Sequence, residues 1–284
     1  MSIARFRPEI WAANLLVALR KALVFGGPAV VNRDYEGEIR EAGNSVKVAS
    51  IGDVTVNDYT KDSDILDPEI LTDSDQTMLI DQQKYFNFYI DSVDRAQQNV
   101  NTLDEAMRRA AYKLNDAADS FIATTMDAAI LSDNKIGSTT TPEVPTKDTA
   151  YEYLVDLSVL LDEGDTPIHG RFVIVPAWFH GLLLKDDRFV RSGTFRGDDR
   201  LQNGEVGEAA GFMVLKSNNV LNTSGAKYKI IAGHHIATSY AEQIVDVQTF
   251  KPEKRFGDAV KGLHVYGAKV LRPSSLAELI ANRS

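Results

Sequence analysis

The chain has 284 residues, 44% of them hydrophobic and 25% charged, enough for about two domains of ordinary globular composition, which excludes wholesale disorder. Its 31 Lys and Arg against 40 Asp and Glu leave a formal charge of -9, the wrong sign for a protein that coats nucleic acid by charge alone. No cysteine is present, so disulfide frameworks, thiolate zinc sites and cysteine nucleophiles are excluded, and five histidines carry all the imidazole chemistry.

At the N-terminus, Arg5 and Arg7 precede an apolar stretch that imitates a signal peptide. Asn14 interrupts it, Arg20-Lys21 closes it, and no small-x-small cleavage site follows before Phe25-Gly26-Gly27-Pro28. No run approaches the roughly 20 apolar residues of a membrane span, so synthesis in the cytoplasm without a membrane partner is expected. Pro8 at a first helical position, then Ile10, Trp11, Leu15, Leu16, Leu19 and Leu23, predict an amphipathic helix ended by Gly26-Gly27. Such a helix either docks on its own core or grips a neighbouring subunit, and the spacing suits both.

Residues 35–75 alternate in short pieces. Val46, Val48 and Ser50 share one face, and Val54 and Val56 follow across the turn signal Gly52-Asp53. Eleven acidic residues fall between Asp53 and Asp94, and the stretch 58–75 has too few large apolar side chains to bury both faces of a strand, which predicts an extended, exposed hairpin. Asp62, Asp64, Asp67, Glu69, Asp73 and Asp75 lack the spacing of a twelve-residue calcium loop and are expected to form a solvated acidic face. Residues 78–90, with Tyr85, Phe86, Phe88, Tyr89 and Ile90, are expected in a buried sheet. A base-stacking platform would need interleaved cations, and only Lys84 and the more distant Arg95 are close.

Thr102-Leu103-Asp104-Glu105 fits a capping box, and Leu103, Met107, Ala110, Leu114, Ala117, Phe121 and Thr125 continue at helical spacing to about Leu131. Its many alanines predict close packing against a sheet. A linker rich in Thr and Pro covers 137–149. An α/β region follows: a helix over 148–163, a buried strand over 171–176, a short helix over 178–184, strands at 212–215 and 229–231, helix or turn over 236–243, and a strand over 244–250.

Gly204-x-x-Gly207-x-x-x-Gly211 is not a dinucleotide fingerprint, and no Gly-Lys-Ser/Thr phosphate loop occurs. His234 and His235 are adjacent, so a strand would point them apart and a helix would splay them, leaving neither suited to joint metal ligation. Ser274-Ser275 has no nucleophile elbow around it. No catalytic, cofactor-binding or metal-binding residue is therefore assigned, and no enzyme is expected. Charge does change sign along the chain. Residues 1–34 hold five basic and two acidic residues, 35–101 five and fourteen, and 170–284 sixteen and eleven. Copies of such a chain are able to attract one another through complementary patches.

Three segments carry a resemblance. They are Phe172-Val173-Ile174-Val175-Pro176-Ala177-Trp178 running to Leu184-Lys185-Asp186-Asp187-Arg188-Phe189; Gly204 to Gly211 followed by Phe212-Met213-Val214-Leu215-Lys216-Ser217-Asn218-Asn219; and Phe256-Gly257-Asp258-Ala259-Val260 leading to Tyr266-Gly267-Ala268-Lys269-Val270-Leu271-Arg272-Pro273. In this order and spacing the chain resembles a tailed-bacteriophage major capsid protein. The resemblance implies an α+β protein with the Hong Kong 97-type capsid fold: an N-arm (1–34), an extended E-loop hairpin (35–76), a peripheral domain (77–147 and 251–284) with a long spine helix over about 102–131, and an axial domain (148–250). It implies self-assembly into pentamers and hexamers of an icosahedral head that encloses double-stranded DNA, with a separate scaffolding protein and a portal protein as partners and a decoration protein as an optional one. Assembly in the bacterial host cytoplasm and residence in the virion follow. Inter-subunit contacts are expected from Trp11 and Leu15 of the arm, and from Asp62, Asp64, Asp67 and Glu69 of the hairpin against Arg188, Arg191, Arg196 and Arg200 of a neighbour. The alternative with this architecture is an encapsulin-type nanocompartment shell enclosing cargo enzymes.

Overall fold

The computed structural model describes residues 23–35, 45–51, 58–59, 61, 73–91, 102–186, 207–253 and 257–283. Its long element is helix α1, Thr102–Ala129, whose 28 residues make a rod of about 42 Å. Ala111, Leu114, Ala118, Ile122, Ala123 and Met126 are buried at steps of three and four, the stripe expected of a helix lying on other elements. The side chains of 102–105, and with them the expected capping box, lie outside the described residues.

The strands, numbered in chain order, are β1 Ser45–Ile51, β2 Asp73–Leu79, β3 Gln82–Asp91, β4 Lys135–Ile136, β5 Arg171–Val175, β6 Glu208–Ala209, β7 Phe212–Lys216, β8 Asn222–Thr223, β9 Lys227–His234, β10 Thr238–Phe250, β11 Gly257–Val270 and β12 Leu276–Asn282. Helix α2 is Ala150–Glu163 and α3 is Ala177–Leu184. Three sheets result: a hairpin of β1 and β2, a three-stranded sheet in the order β10-β11-β3, and a larger sheet in the order β4-β12-β9-β5-β7-β6 with β8 beside β9. The chain is thus a mixed helix and sheet protein.

Helix α1 serves both larger sheets. Its first half packs Ala111 and Leu114 on Phe86, Phe88, Val247 and Val260 of the three-stranded sheet. Its second half packs Ala118, Ile122, Ala123 and Met126 on Phe172, Ile174, Ile231 and Leu276 of the larger one. Strand β5 is buried along its whole length because Val173 and Val175 face the other way, into a layer with Leu154, Leu157 and Leu161 of α2 and Phe179 and Leu183 of α3. That apolar run on both faces is what a central strand requires.

Several sequence expectations need correction. The turn signal at Gly52-Asp53, with Val54 and Val56, lies outside the described residues; β1 pairs antiparallel with β2, from Ser45 opposite Leu79 to Ile51 opposite Asp73. The expected strand over 78–90 is interrupted at Ile80-Asp81, and its aromatics divide by face. Phe86 and Phe88 pack under α1, whereas Tyr85 on the opposite face is 78% exposed. Residues 236–243 are not helical beyond a 3-10 turn at His235–Ala237, and the chain enters β10 at Thr238. β-branched and aromatic residues from Thr238 onward, paired against β11, outweigh the short helical pattern. Strand β10 belongs to one sheet with β11 and β3, while β12 sits between β4 and β9 of the larger sheet.

Candidate functional site

Two segments dock on this body, and the structure shows how each is held. The first is residues 23–35. Asp119, on the core face of α1, accepts the Val24 amide on Oδ2 at 3.0 Å and the Gly26 amide on Oδ1 at 3.1 Å. Leu23, Phe25, Val30 and Val31 bury themselves beside Ile122 and Met126. The Asn32 amide donates to the Thr238 carbonyl and the Tyr240 amide to the Asn32 carbonyl, both at 2.9 Å, so the segment bridges onto the outer side of β10.

Arg33 closes this root. Its Nε donates to the Gly26 carbonyl at 3.0 Å and its Nη1 to Glu242 Oε1 at 3.1 Å, with the guanidinium 5.2 Å from the centre of the Tyr240 ring. Glu242 Oε2 also receives the Tyr240 hydroxyl at 2.8 Å and stands 3.2 Å from His264 Nε2. Burial alone would push Glu242 up, but His264, Arg33 and Tyr240 outweigh it and hold the carboxyl below the usual carboxylate range. For Asp119 the balance is reversed: burial pushes it up to about 6 despite the amides of Val24, Gly26 and Phe25. An acid raised in the folded state binds its proton more tightly there, so its contribution to stability is full below about pH 4 and is lost as pH rises through about 6. Asp119→Asn is expected to remove that component of the stability-pH slope. Urea midpoints of both proteins at pH 4.5 and 7, compared as differences, check it.

The second root belongs to the β1–β2 hairpin. The end of β2 crosses the face of β11 that α1 leaves open, burying Met78 and Ile80 with Ala241 and Val265. Lys269 Nζ donates to the Thr77 carbonyl at 2.8 Å, and Gln76 Nε2 to the Leu271 carbonyl at 3.3 Å. Gly267 permits the crossing, since a Cβ there would fall on the Leu79 carbonyl oxygen and lie 2.9 Å from Ile80 Cα.

Charged groups elsewhere also hold elements together. Lys229 Nζ lies 2.7 Å from both Asp127 oxygens, tying β9 to α1, and Lys135 Nζ lies 3.0 Å from the fully buried Glu278 Oε2. Burial, with the Asp127 carboxylate beside it, pushes Glu278 up to about 7 against the pull of Lys135. Arg171 is a hub for the Asp162 carboxylate and the carbonyls of Thr166 and Pro167. His234 and His235 do not splay: the strand ends between them and their ring centres lie 4.3 Å apart with the planes inclined by 32°. Among the described residues no group of three or more His, Asp or Glu side chains is placed to hold a metal ion, and no helix is long and apolar enough to cross a membrane.

Trp11, Leu15, Asp62, Asp64, Asp67, Glu69, Arg188, Arg191, Arg196 and Arg200 all lie outside the described residues. Sequence reasoning missed the roots themselves: Asp119, Arg33, Glu242, His264 and Gly267. The available signal was Asp119, a lone acid on the apolar stripe of α1.

The phage capsid protein family matches residues 75–279. A solved structure from Mycobacterium phage Che8 is 28% identical, with 90% of each chain covered and a TM-score of 0.72. The capsid of cyanophage P-SCSP1u is 17% identical over 93% of this chain and 90% of that one, with a TM-score of 0.71. The encapsulin of the holo-SrpI complex from Synechococcus elongatus PCC 7942 shares the fold at 12% identity, over 86% and 84% of the two chains, with a TM-score of 0.56. No curated protein matches in sequence. The family match takes in α1, the two larger sheets and most of β2, and the chain belongs to the phage capsid protein family, as a structural shell protein of the major capsid type.

Proposed function

We propose that the chain builds an icosahedral phage head of pentamers and hexamers with the Hong Kong 97-type arrangement, enclosing double-stranded DNA. Residues 1–34 serve as the N-arm and 35–76 as the E-loop; 77–147 and 251–284 form the peripheral domain around α1 as its spine, and 148–250 the axial domain. The observation that carries this reading is the pair of roots. Residues 23–35 and the base of the β1–β2 hairpin are each fixed to a two-sheet body, one by Asp119 and Arg33 and the other at Gly267 and Lys269, an anchorage that suits segments continuing onto a neighbour. Identical chains that occupy unequal positions need such extensions on a rigid frame.

A separate scaffolding protein and a portal protein complete the assembly, with a decoration protein as an optional addition, and the packaged DNA is enclosed without sequence-specific contacts. Assembly takes place in the host cytoplasm. The acidic residues Asp62, Asp64, Asp67 and Glu69 pair with Arg188, Arg191, Arg196 and Arg200 of an adjoining copy; a salt-dependent assembly yield left unchanged by reversing these arginines would sink that pairing. The whole reading is tested by expressing the chain with and without its neighbouring phage genes and imaging the products in negative stain. Closed shells, or capsomers that close when a scaffold is supplied, are expected. Uniform monomers under both conditions would overturn it. Shells that co-purify with an enzyme cargo in place of DNA would assign the encapsulin alternative instead.

A further inference from the structure

Three of the five histidines meet where the two larger sheets are joined. The chain leaves β9 at His234, turns through His235–Ala237 and enters β10 at Thr238. It returns from β11 to β12 through Leu271 and Arg272, whose amides both donate to the Ala237 carbonyl at 2.7 and 3.1 Å. The two crossings are thus stitched together on one oxygen of the 3-10 turn, and the conformation of that turn sets the joint.

His234 holds the turn, with both ring nitrogens engaged and 4% of the residue exposed. Nδ1 accepts the Ile236 amide at 3.2 Å, and Nε2 lies 2.7 Å from the His169 carbonyl. An amide only donates and a carbonyl only accepts, so these partners select the neutral ring with its proton on Nε2. A second proton must go to Nδ1, where it would face the Ile236 N–H. The charged and titratable neighbours give it no compensation: the His235 ring lies tilted against it, Arg171 approaches from β5, Arg272 from the return crossing, and His169 offers only its carbonyl. The carboxylate that joins this network among the described residues, Asp162, is bonded to Arg171 at 2.6 Å. Gly170 at φ +87° lets the backbone close beneath both rings, since a Cβ there would lie 2.9 Å from His235 Nδ1 and 3.2 Å from His234 Nε2.

We propose that His234 is a proton-operated latch on the joint between the two sheets: the neutral ring holds the turn, and protonation in mild acid frees the Ile236 amide and loosens both crossings. Burial, reinforced by His235, Arg171 and Arg272, holds His234 below the ordinary imidazole range, so its contribution to stability is present above about pH 6.5 and is lost as pH falls through the lowered value. The latch is a property of the single subunit. Its use in letting one chain settle at several angles in a shell rests on the capsid reading.

Hydrogen exchange on the full chain near pH 7.5 and near pH 5, corrected for the intrinsic rate, tests it against His234→Asn. The Asn Oδ1 stands where Nδ1 does and caps the turn but takes up no proton. In the wild type, protection of Ile236, Leu271 and Arg272 is expected to fall about tenfold on acidification while the variant changes little. Unchanged protection in the wild type, or an equal fall in the variant, overturns the proposal. If the variant does not fold, nitrogen shifts of the wild-type imidazole decide: a neutral ring protonated on Nε2 that charges below the ordinary range supports the latch, and a proton on Nδ1 or ordinary titration rejects it. Exchange is read on dissociated subunits, so failure to form shells would leave this result intact.

Discussion

Gly267→Ala is expected to detach the base of the β1–β2 hairpin and to abolish shell formation while leaving the two larger sheets folded. The added methyl meets main chain, the Leu79 carbonyl oxygen and Ile80 Cα, so no side-chain rotation relieves it and β2 itself must lift. Overpacking costs roughly 1–3 kcal/mol where side chains yield, and a backbone obstacle belongs at or above the upper end. Lifting β2 also exposes Met78 and Ile80, now buried with Ala241 and Val265, and separates Lys269 from the Thr77 carbonyl. Amide exchange through 76–80 should therefore rise to the rate of an open segment, with α1 and β9 still protected. Gly181→Ala is the matched control. Nothing lies within 4 Å of a Cβ at that position in α3, and replacing a helical glycine should stabilise by about 0.5–1 kcal/mol. Normal shells from Gly267→Ala would mean that the hairpin root is not needed for assembly.

This contrast shows where the sequence was legible. Helix α1 was visible because its apolar stripe is local, and β5 because an unbroken Phe-Val-Ile-Val run has few alternatives to a buried strand. The β1–β2 pairing was not, because the partner of Ser45–Ile51 begins at Asp73, far beyond the Gly52-Asp53 turn signal. Local turn chemistry predicts a tight hairpin and is silent about a long one. The roots were hidden for the same reason. Asp119 meets Val24 and Gly26 more than ninety positions away, and Arg33 meets Glu242 at a separation of 209. A lone acid on an apolar stripe announces that a partner exists without saying which. His234 and His235 show a subtler limit, since the reasoning that splays adjacent residues assumes one element, and here the strand ends between them.

Breaking the Arg33–Glu242 contact is the second large effect, and it acts on the other root. Glu242→Ala leaves the Arg33 guanidinium, 14% exposed, and the buried Tyr240 hydroxyl without their carboxylate, and removes the partner of His264. Removing one member of a buried ion pair costs about 3–5 kcal/mol, and the partial exposure of Arg33 places this case near the lower end. Glu242→Gln keeps the shape and one acceptor but not the charge, so it should recover part of the loss. The pH dependence has a definite sign. Because Glu242 titrates lower in the folded chain than in the unfolded one, its stabilisation is present above about pH 4.5 and disappears as pH falls through its lowered value, a loss that Glu242→Gln abolishes. Asp119 runs the opposite way, losing its contribution as pH rises toward 6 and above. The two groups therefore give the fold stability–pH slopes of opposite sign across acid pH. Limited trypsin digestion at Arg33 reads the hold of Glu242 directly. The wild-type bond should resist cleavage near pH 7, Glu242→Ala should be cut rapidly under the same conditions, and equal resistance in both proteins would show that Arg33 does not depend on its carboxylate partner.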